Sequence, residues 1–302
     1  MTRRPNRPNK PSRPKDSSKS ILITVDVEDW FQVENLRPAF PFESWNSCEL
    51  RVERNTHVLL NLLDRHHVQA TFFVLGWLAE RLPNLVTEIH KRGHEIASHG
   101  YNHELCSGLV CATLREDLLR SKATLEDITG QPILGYRAPS FSVTHDLIET
   151  LGELGFRYDS SYNNFAMNKR HGQANGFFQP SQGDQLVAKN GIVELPISNL
   201  NIGGQTIPWG GGGYFRLYPP SVFFSGVAHI LNNKGYYNFY CHPWEFDPDQ
   251  PRANGIGALS RFRHYLTLDK TLTRLNRFLH RFKDCKFRTC SQYLGLKNTS
   301  VS

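Results

Sequence analysis

Four short segments of this 302-residue chain place reactive side chains directly after an apolar run. The first is Asp26-Val27-Glu28-Asp29, which follows Ile21-Leu22-Ile23-Thr24-Val25. Three acids in four positions at the end of a buried strand are costly unless they are paired or hold a cation. In an extended chain Asp26 and Glu28 point to the same side, so one can act as a base while its neighbour binds a metal. An acidic loop capping the next element is the structural alternative. The second segment is Ser98-His99-Gly100-Tyr101-Asn102-His103. Two histidines four apart converge on one ion when the segment turns helically, and two imidazoles with a carboxylate make the donor set of a hydrolytic zinc site. The third, Arg137-Ala138-Pro139-Ser140, offers a permanent cation able to grip a carboxylate in a turn stiffened by proline. The fourth is Cys241-His242-Pro243-Trp244, where an imidazole is the natural proton donor near neutral pH and a satisfied core histidine is the alternative. His57, His66, His67, His171 and His264 lack such surroundings and read as surface or structural residues.

The elements that must carry these segments follow from hydrophobic periodicity. Buried strands are expected over 21–27, 70–75, 94–98, 133–136, 156–158, 192–196 and 236–241. Helices are expected between them: over 51–66, up to the Lys91-Arg92-Gly93 stop, from a Thr113–Glu116 capping box to Gly130, from a Thr144 cap to Gly155, and over 219–235. One amphipathic helix is expected over 260–282. Residues 161–191 read as a long polar loop or insertion, and the Gly210–Gly213 run lacks the Lys-Ser/Thr of a phosphate loop. Alternation of strand and helix argues a parallel α/β sheet, doubly wound or closed into a barrel. In either form chemistry gathers at the C-terminal ends of the strands.

Charge and composition remove several function classes. The net charge is +7, but residues 1–20 hold seven cations against Asp16, and the remaining 28 basic and 27 acidic residues leave the body at +1. Specific nucleic-acid binding by the whole domain therefore has no electrostatic footprint. The Pro- and Arg-rich residues 1–19 cannot bury enough surface to order themselves. They form an expected disordered basic tail, solvated or weakly attached to an anionic membrane or polymer. No apolar stretch reaches the roughly 20 residues of a membrane span, and no signal peptide is read at the start, so the expected location is the cytoplasm, with peripheral membrane attachment as the alternative. Six cysteines without metal-ligand spacing read as reduced thiols.

Taken together, these motifs resemble the polysaccharide deacetylases of the NodB-homology type, carbohydrate esterase family four. The matching segments are TVDVED, SHGYNH, RAPS, FRYDSS and YCHPWEF, in family order over roughly residues 20–290. The runs ATFFVLGWLAE, GYRAPSFS and GGGYFRLYP make the chain similar to the subfamily found beside exosortase (PEP-CTERM) exopolysaccharide loci. The resemblance implies an α/β fold of the distorted (β/α) barrel type with about seven parallel strands. It implies a deacetylase domain over 20–290, including a C-terminal helical extension, and a tail over 291–302. The implied activity is hydrolysis of the acetamide C–N bond of an N-acetylated polysaccharide or oligosaccharide, with one divalent metal, zinc by expectation. Residue by residue, Asp26 matches the catalytic base, His99 and His103 the metal-binding pair, Arg137 the residue that orients the base, and His242 the catalytic acid. The metal carboxylate is Glu28 or Asp29, Glu28 being favoured because it shares a face with Asp26. Ser140 replaces the family tyrosine, and Asp159-Ser160-Ser161 lacks the family tryptophan. The substrate wall must then come from elsewhere: Trp30, Pro139, Trp209 and Trp244 are the expected contacts, with Phe31 a further candidate. A metal-independent amide hydrolase of the same fold, similar to the allantoinase-like relatives, and a non-catalytic glycan-binding protein are the alternatives. Oligomeric state is open.

Overall fold

A computed structural model describes residues 19–165, 177–180 and 185–296. The expected basic tail therefore lies outside the described residues, apart from Lys19, whose carbonyl accepts the Lys286 N–H at 2.9 Å. Strand β1 (Ser20–Val27) is buried along its whole length. That suits its near-continuous apolar sequence, because a parallel strand is covered on both faces. It runs parallel to β2 (Thr71–Val74) on one side and to β11 (Tyr236–Cys241) on the other. From β2 the parallel order continues through β3 (Glu95–Ser98), β4 (Gly135–Tyr136), β5 (Tyr158–Asp159) and β8 (Val193–Glu194). These seven parallel strands form a distorted (β/α) barrel, and a short β12 (Lys286–Arg288) also pairs with β1.

The barrel has a seam. No ladder joins β8 to β11 among the described residues. Side chains bridge the gap: Asn238 Nδ2 donates to the carbonyls of Leu195 and Pro196 at 3.1 and 3.3 Å, and Asn238 N–H donates to Ser198 Oγ at 2.8 Å. The segment expected as a loop over 161–191 instead carries β6 (Phe178–Pro180) and β7 (Leu186–Ala188), antiparallel strands that extend the sheet outward from β8. Residues 166–176 and 181–184 of that segment lie outside the described residues. A hairpin, β9 (Asn199–Ile202) and β10 (Gln205–Pro208), stands apart from the main sheet.

Helices α1 (Val52–Arg65), α2 (Gly76–Arg81), α3 (Pro83–Lys91), α4 (Cys111–Thr129), α5 (His145–Glu153), α6 (Gly212–Leu217) and α7 (Pro220–Lys234) fill the crossovers. Thr144 caps α5, its Oγ1 accepting the Leu147 N–H at 3.1 Å. Thr113 does not cap α4, which already begins at Cys111, so the Thr113–Glu116 pattern lies inside the helix. The single helix expected over 260–282 is two, α8 (Ala258–Tyr265) and α9 (Leu268–Arg281), parted at Thr267 with φ 49°. The break has a physical cause: the guanidinium of Arg216 takes the carbonyls of Arg263, His264 and Leu266 at 2.8–3.0 Å, and these would otherwise continue the helical ladder. The fold also continues past residue 290. Helix α10 (Cys290–Leu294) is tied to β3 by Ser291 N–H on Glu95, so the tail expected from 291 starts later. The six cysteines form no disulfide.

Candidate active site

All four reactive segments end at the same face of the barrel. Beyond β1, Glu28 N–H turns back onto the Asp26 carbonyl at 2.9 Å, and both carboxylates line one cavity with His103 and His242. Asp26 is 2 % exposed and bound to Arg137 Nη1 through Oδ1 at 2.7 Å. Arg137 is wholly buried. Its other donors go to Thr24 Oγ1 (2.8 Å), Ser160 O (2.9 Å) and Ser160 Oγ (2.8 Å), and its guanidinium lies over the Phe73 ring. A buried guanidinium with four of its five N–H donors engaged cannot swing away, so the Asp26 carboxylate is aimed by its surroundings.

His99 and His103 converge on Glu28. Each Nε2 lies 3.0 Å from the same oxygen, Glu28 Oε1. His99 Nδ1 donates to the Arg137 carbonyl at 2.8 Å, which leaves the lone pair of Nε2 facing that oxygen. Lone pairs on three buried donors crowded within 4.8 Å of one another repel unless a cation or protons sit among them, and N2O is a zinc-type ligand set. The donors therefore fit a divalent metal. Burial pushes the Glu28 carboxyl up, but the imidazoles of His103, His242 and His99 outweigh it and hold the group well below its usual range. The loop that delivers the histidines is fixed from α4: Asp117 accepts the N–H groups of Tyr101 and Asn102 at 2.9 and 3.1 Å. Gly100, at φ 76°, passes so close to Asp117 that a Cβ would stand 2.9 Å from its Oδ2, and His103 itself sits at φ 55°.

Asp29 is placed elsewhere, which removes it as a metal ligand. It is fully buried, and its carboxylate accepts the N–H groups of Trp30 (2.8 Å), Arg51 (2.7 Å) and Val52 (2.9 Å), closing the start of α1. Burial outweighs those bonds and pushes its pKa up to about 6. The neighbouring acids thus divide: Glu28 faces the cavity and Asp29 faces a helix terminus.

His242 stands across from the two carboxylates, its Nε2 3.9 Å from Asp26 Oδ2 and 4.0 Å from Glu28 Oε1. Its Nδ1 lies 3.2 Å from Glu245 Oε2. Burial pulls its pKa down, but Glu28, Glu245 and Asp26 together push it up to about 9, so the ring is cationic at neutral pH. Where a metal takes the charge of Glu28, Glu245 and Asp26 remain to favour the imidazolium.

Of the expected substrate contacts, Trp244 alone lines the cavity. Trp30 is packed edge-on against Phe31 and Phe40 with its indole N–H on Glu49 O, and Phe31 is likewise buried. Trp209 stacks on Tyr218 and Phe223 and donates to Phe223 O. Both tryptophans are core residues, because each has found an internal partner for its N–H. Pro139 is buried behind the cavity wall and shapes it: its carbonyl accepts the N–H and Oγ of Ser142, and the turn throws Ser140 and Phe141 into left-handed backbone (φ 51° and 60°). Strain of this kind in bulky residues persists only where the surroundings over-determine it. Here it presents Phe141 to the cavity, edge-on to Tyr240. Phe141, Tyr214 and Tyr240 join Trp244 in the aromatic wall, in place of the expected Trp30 and Trp209. Tyr240 is held by Gly211, whose φ of 142° and Cβ position 2.0 Å from Tyr240 O admit no side chain.

Behind Arg137, Asp159 Oδ1 accepts Ser161 Oγ–H at 2.6 Å and Glu194 Oε1 accepts Tyr162 N–H at 3.0 Å. Their other oxygens, Asp159 Oδ2 and Glu194 Oε2, are buried without a further partner, which one shared proton between the two carboxyls satisfies. Burial raises both, and the Asp159 charge pushes Glu194 further, so Glu194 carries the proton.

Comparison with known proteins divides the chain in two. Residues 14–158 match the family model for polysaccharide deacetylase, and residues 160–295 match a model described as a domain of unknown function, DUF3473. A peptidoglycan deacetylase-like protein, FGM2, of Gibberella zeae is 40 % identical over 106 residues, 34 % of this chain and 31 % of that protein. The peptidoglycan deacetylase of Helicobacter pylori is 34 % identical over 103 residues, 34 % of this chain and 35 % of that protein. The chain thus spans about a third of the length of these relatives. In fold it is similar to a Mycobacterium smegmatis protein ascribed to the polysaccharide deacetylases (TM-score 0.59, 22 % identity, 96 % of both chains) and to Puue allantoinase (TM-score 0.56, 15 % identity, 95 % and 92 % covered). Residues 14–158, the part of the chain similar to the polysaccharide deacetylase family, carry Asp26, Glu28, His99, His103 and Arg137.

Proposed function

We propose that this protein is a metal-dependent hydrolase of amide C–N bonds that removes acetyl groups from the amino sugars of a bacterial polysaccharide. The observation that carries the reading is the convergence of His99 Nε2 and His103 Nε2 at 3.0 Å on one oxygen of Glu28, with His242 Nε2 4.0 Å from that oxygen and 3.9 Å from Asp26 Oδ2. A divalent cation held by Glu28, His99 and His103, zinc by the chemistry of the set, supplies Lewis acidity to the acetamide carbonyl and to water. Asp26 accepts the proton as the water oxygen bonds to the carbonyl carbon, and Arg137 keeps that carboxylate in place. His242 Nε2–H delivers a proton to the sugar nitrogen as the C–N bond breaks, leaving acetate and a free amine. The aromatic wall of Phe141, Tyr214, Tyr240 and Trp244 suits the apolar face of a sugar ring. An exopolysaccharide or its precursor is the substrate class favoured by the GGGYFRLYP and HPWEF segments, both at the cavity.

The fold likeness to an allantoinase keeps a metal-independent amide hydrolase as the second reading. Acetate release from a panel of N-acetylated amino-sugar polymers, with and without chelator, separates the two. Turnover that stops with chelator and returns with zinc is expected. Undiminished turnover in chelator overturns the metal-dependent reading, and no acetate from any member of the panel overturns the deacetylase reading.

A further inference from the structure

The Nδ1 side and the ring face of His242 are held by groups from residues 160–295. Glu245 reaches back to His242 twice: Oε2 accepts the His242 backbone N–H at 3.1 Å and faces Nδ1 at 3.2 Å. Its other oxygen, Oε1, accepts Arg216 Nε at 2.8 Å. Glu245 and Arg216 are 1 % and 2 % exposed, so this is a buried chain of charge from guanidinium to carboxylate to imidazole. A buried carboxylate is tolerated only with such a partner. Arg216 is fixed in turn by the carbonyls of Arg263, His264 and Leu266. Stacking adds a second restraint: Trp244 lies on His242 (5.2 Å, 23°) and His264 lies on Trp244 (4.3 Å, 11°).

We infer that Glu245 and Arg216 are positioning residues for His242, and that the segment matched by the DUF3473 model serves the site by holding the proton donor opposite the base and metal ligands of residues 14–158. With Nδ1–H engaged by Glu245, the ring can present only Nε2 to the cavity. Glu245 touches neither Asp26 nor the two metal histidines through any hydrogen bond or ion pair among the described residues, and within the site it bonds to His242. The inference rests on the deacetylase reading for its kinetic arm and on geometry for its spectroscopic arm.

Glu245→Gln keeps the shape and removes the charge, and Glu245→Asp keeps the charge and withdraws the acceptor from Nδ1. Both are compared with wild type, loaded with zinc, by steady-state kinetics on an N-acetylated amino-sugar oligomer, by bound-zinc stoichiometry, and by 15N NMR of the histidine rings with His242→Gln for assignment. Expected for either variant that folds is a kcat lower by about 10–100-fold. KM and zinc content should hold, and the His242 ring signals should move away from the Nδ1-protonated pattern of wild type. An unchanged kcat with unchanged ring signals overturns the inference. So does a loss of zinc that parallels the loss of rate, which would make Glu245 a general structural residue. A wild type without turnover overturns the deacetylase reading, and the ring signals still decide whether Glu245 holds His242.

Discussion

Glu194 is a buried acid whose conversion to its amide should stabilise the protein. In the native state its Oε1 is occupied by Tyr162 N–H, and its Oε2, like Asp159 Oδ2, is buried without another partner. The pair needs one proton, and burial together with the Asp159 charge raises Glu194 well above the ordinary 4.5 so that it carries that proton. The sign follows from linkage. A group whose folded pKa is raised contributes stability that is fully present below its unfolded pKa and is lost as pH rises towards the folded one. Within that window, opening at 4.5, the wild type must hold a proton that the unfolded chain releases, at about 1.4 kcal/mol per pH unit for one proton. Glu194→Gln donates an amide N–H to Asp159 Oδ2 with no proton uptake. The variant should match wild type within about 1 kcal/mol near pH 4.5, as expected where one hydrogen bond replaces another. It should gain on wild type steadily as pH rises through that window. The assay is urea unfolding at a series of pH values at constant metal content, compared at equal m. Parallel stability curves for the two proteins would refute the shared proton, and a variant that falls behind as pH rises would show that Glu194 is ionised in the fold.

Two further outcomes follow from the geometry at the end of β1. Asp29→Ala should lower stability by at least about 1 kcal/mol, measured by denaturant midpoint at pH 5, because three buried N–H groups lose their acceptor. Glu28→Gln should instead lose stoichiometric metal with little change in that midpoint, and the reverse pattern would exchange the roles of the two acids. Asp26→Asn should keep its metal while the rate falls on the order of 10²–10⁴, the usual worth of one proton-transfer group. A variant turning over within a few-fold of wild type would remove Asp26 as the base.

Much of the site was written in residue order. Asp26, Glu28, His99, His103, Arg137 and His242 each follow a strand that its apolar run announces, and parallel topology sends every such strand end to one face. Local patterns also settled β1, β11, the Thr144 cap and the Gly130 stop, because they depend on neighbours within a turn or a strand. Periodicity could not choose between Glu28 and Asp29. Both can be reached from the end of β1, and the choice depends on whether α1 brings its unsatisfied N–H groups to one of them.

The same limit governs the aromatic residues and the C-terminal helices. Trp30, Trp209 and Trp244 look alike in sequence, yet two find an internal carbonyl for the indole N–H and become core, while the third stacks on His242 at the cavity. The amphipathic stripe over 260–282 is continuous, and it breaks at Thr267 because Arg216, some fifty residues earlier, captures the carbonyls that a longer helix would need. Sequence by itself determined the seven parallel strands and which reactive residues follow them, since those depend on short-range periodicity and chirality. Tertiary structure alone decided which buried polar groups meet, because a hydrogen bond between residues far apart in the chain is specified by packing and leaves no trace in local spacing.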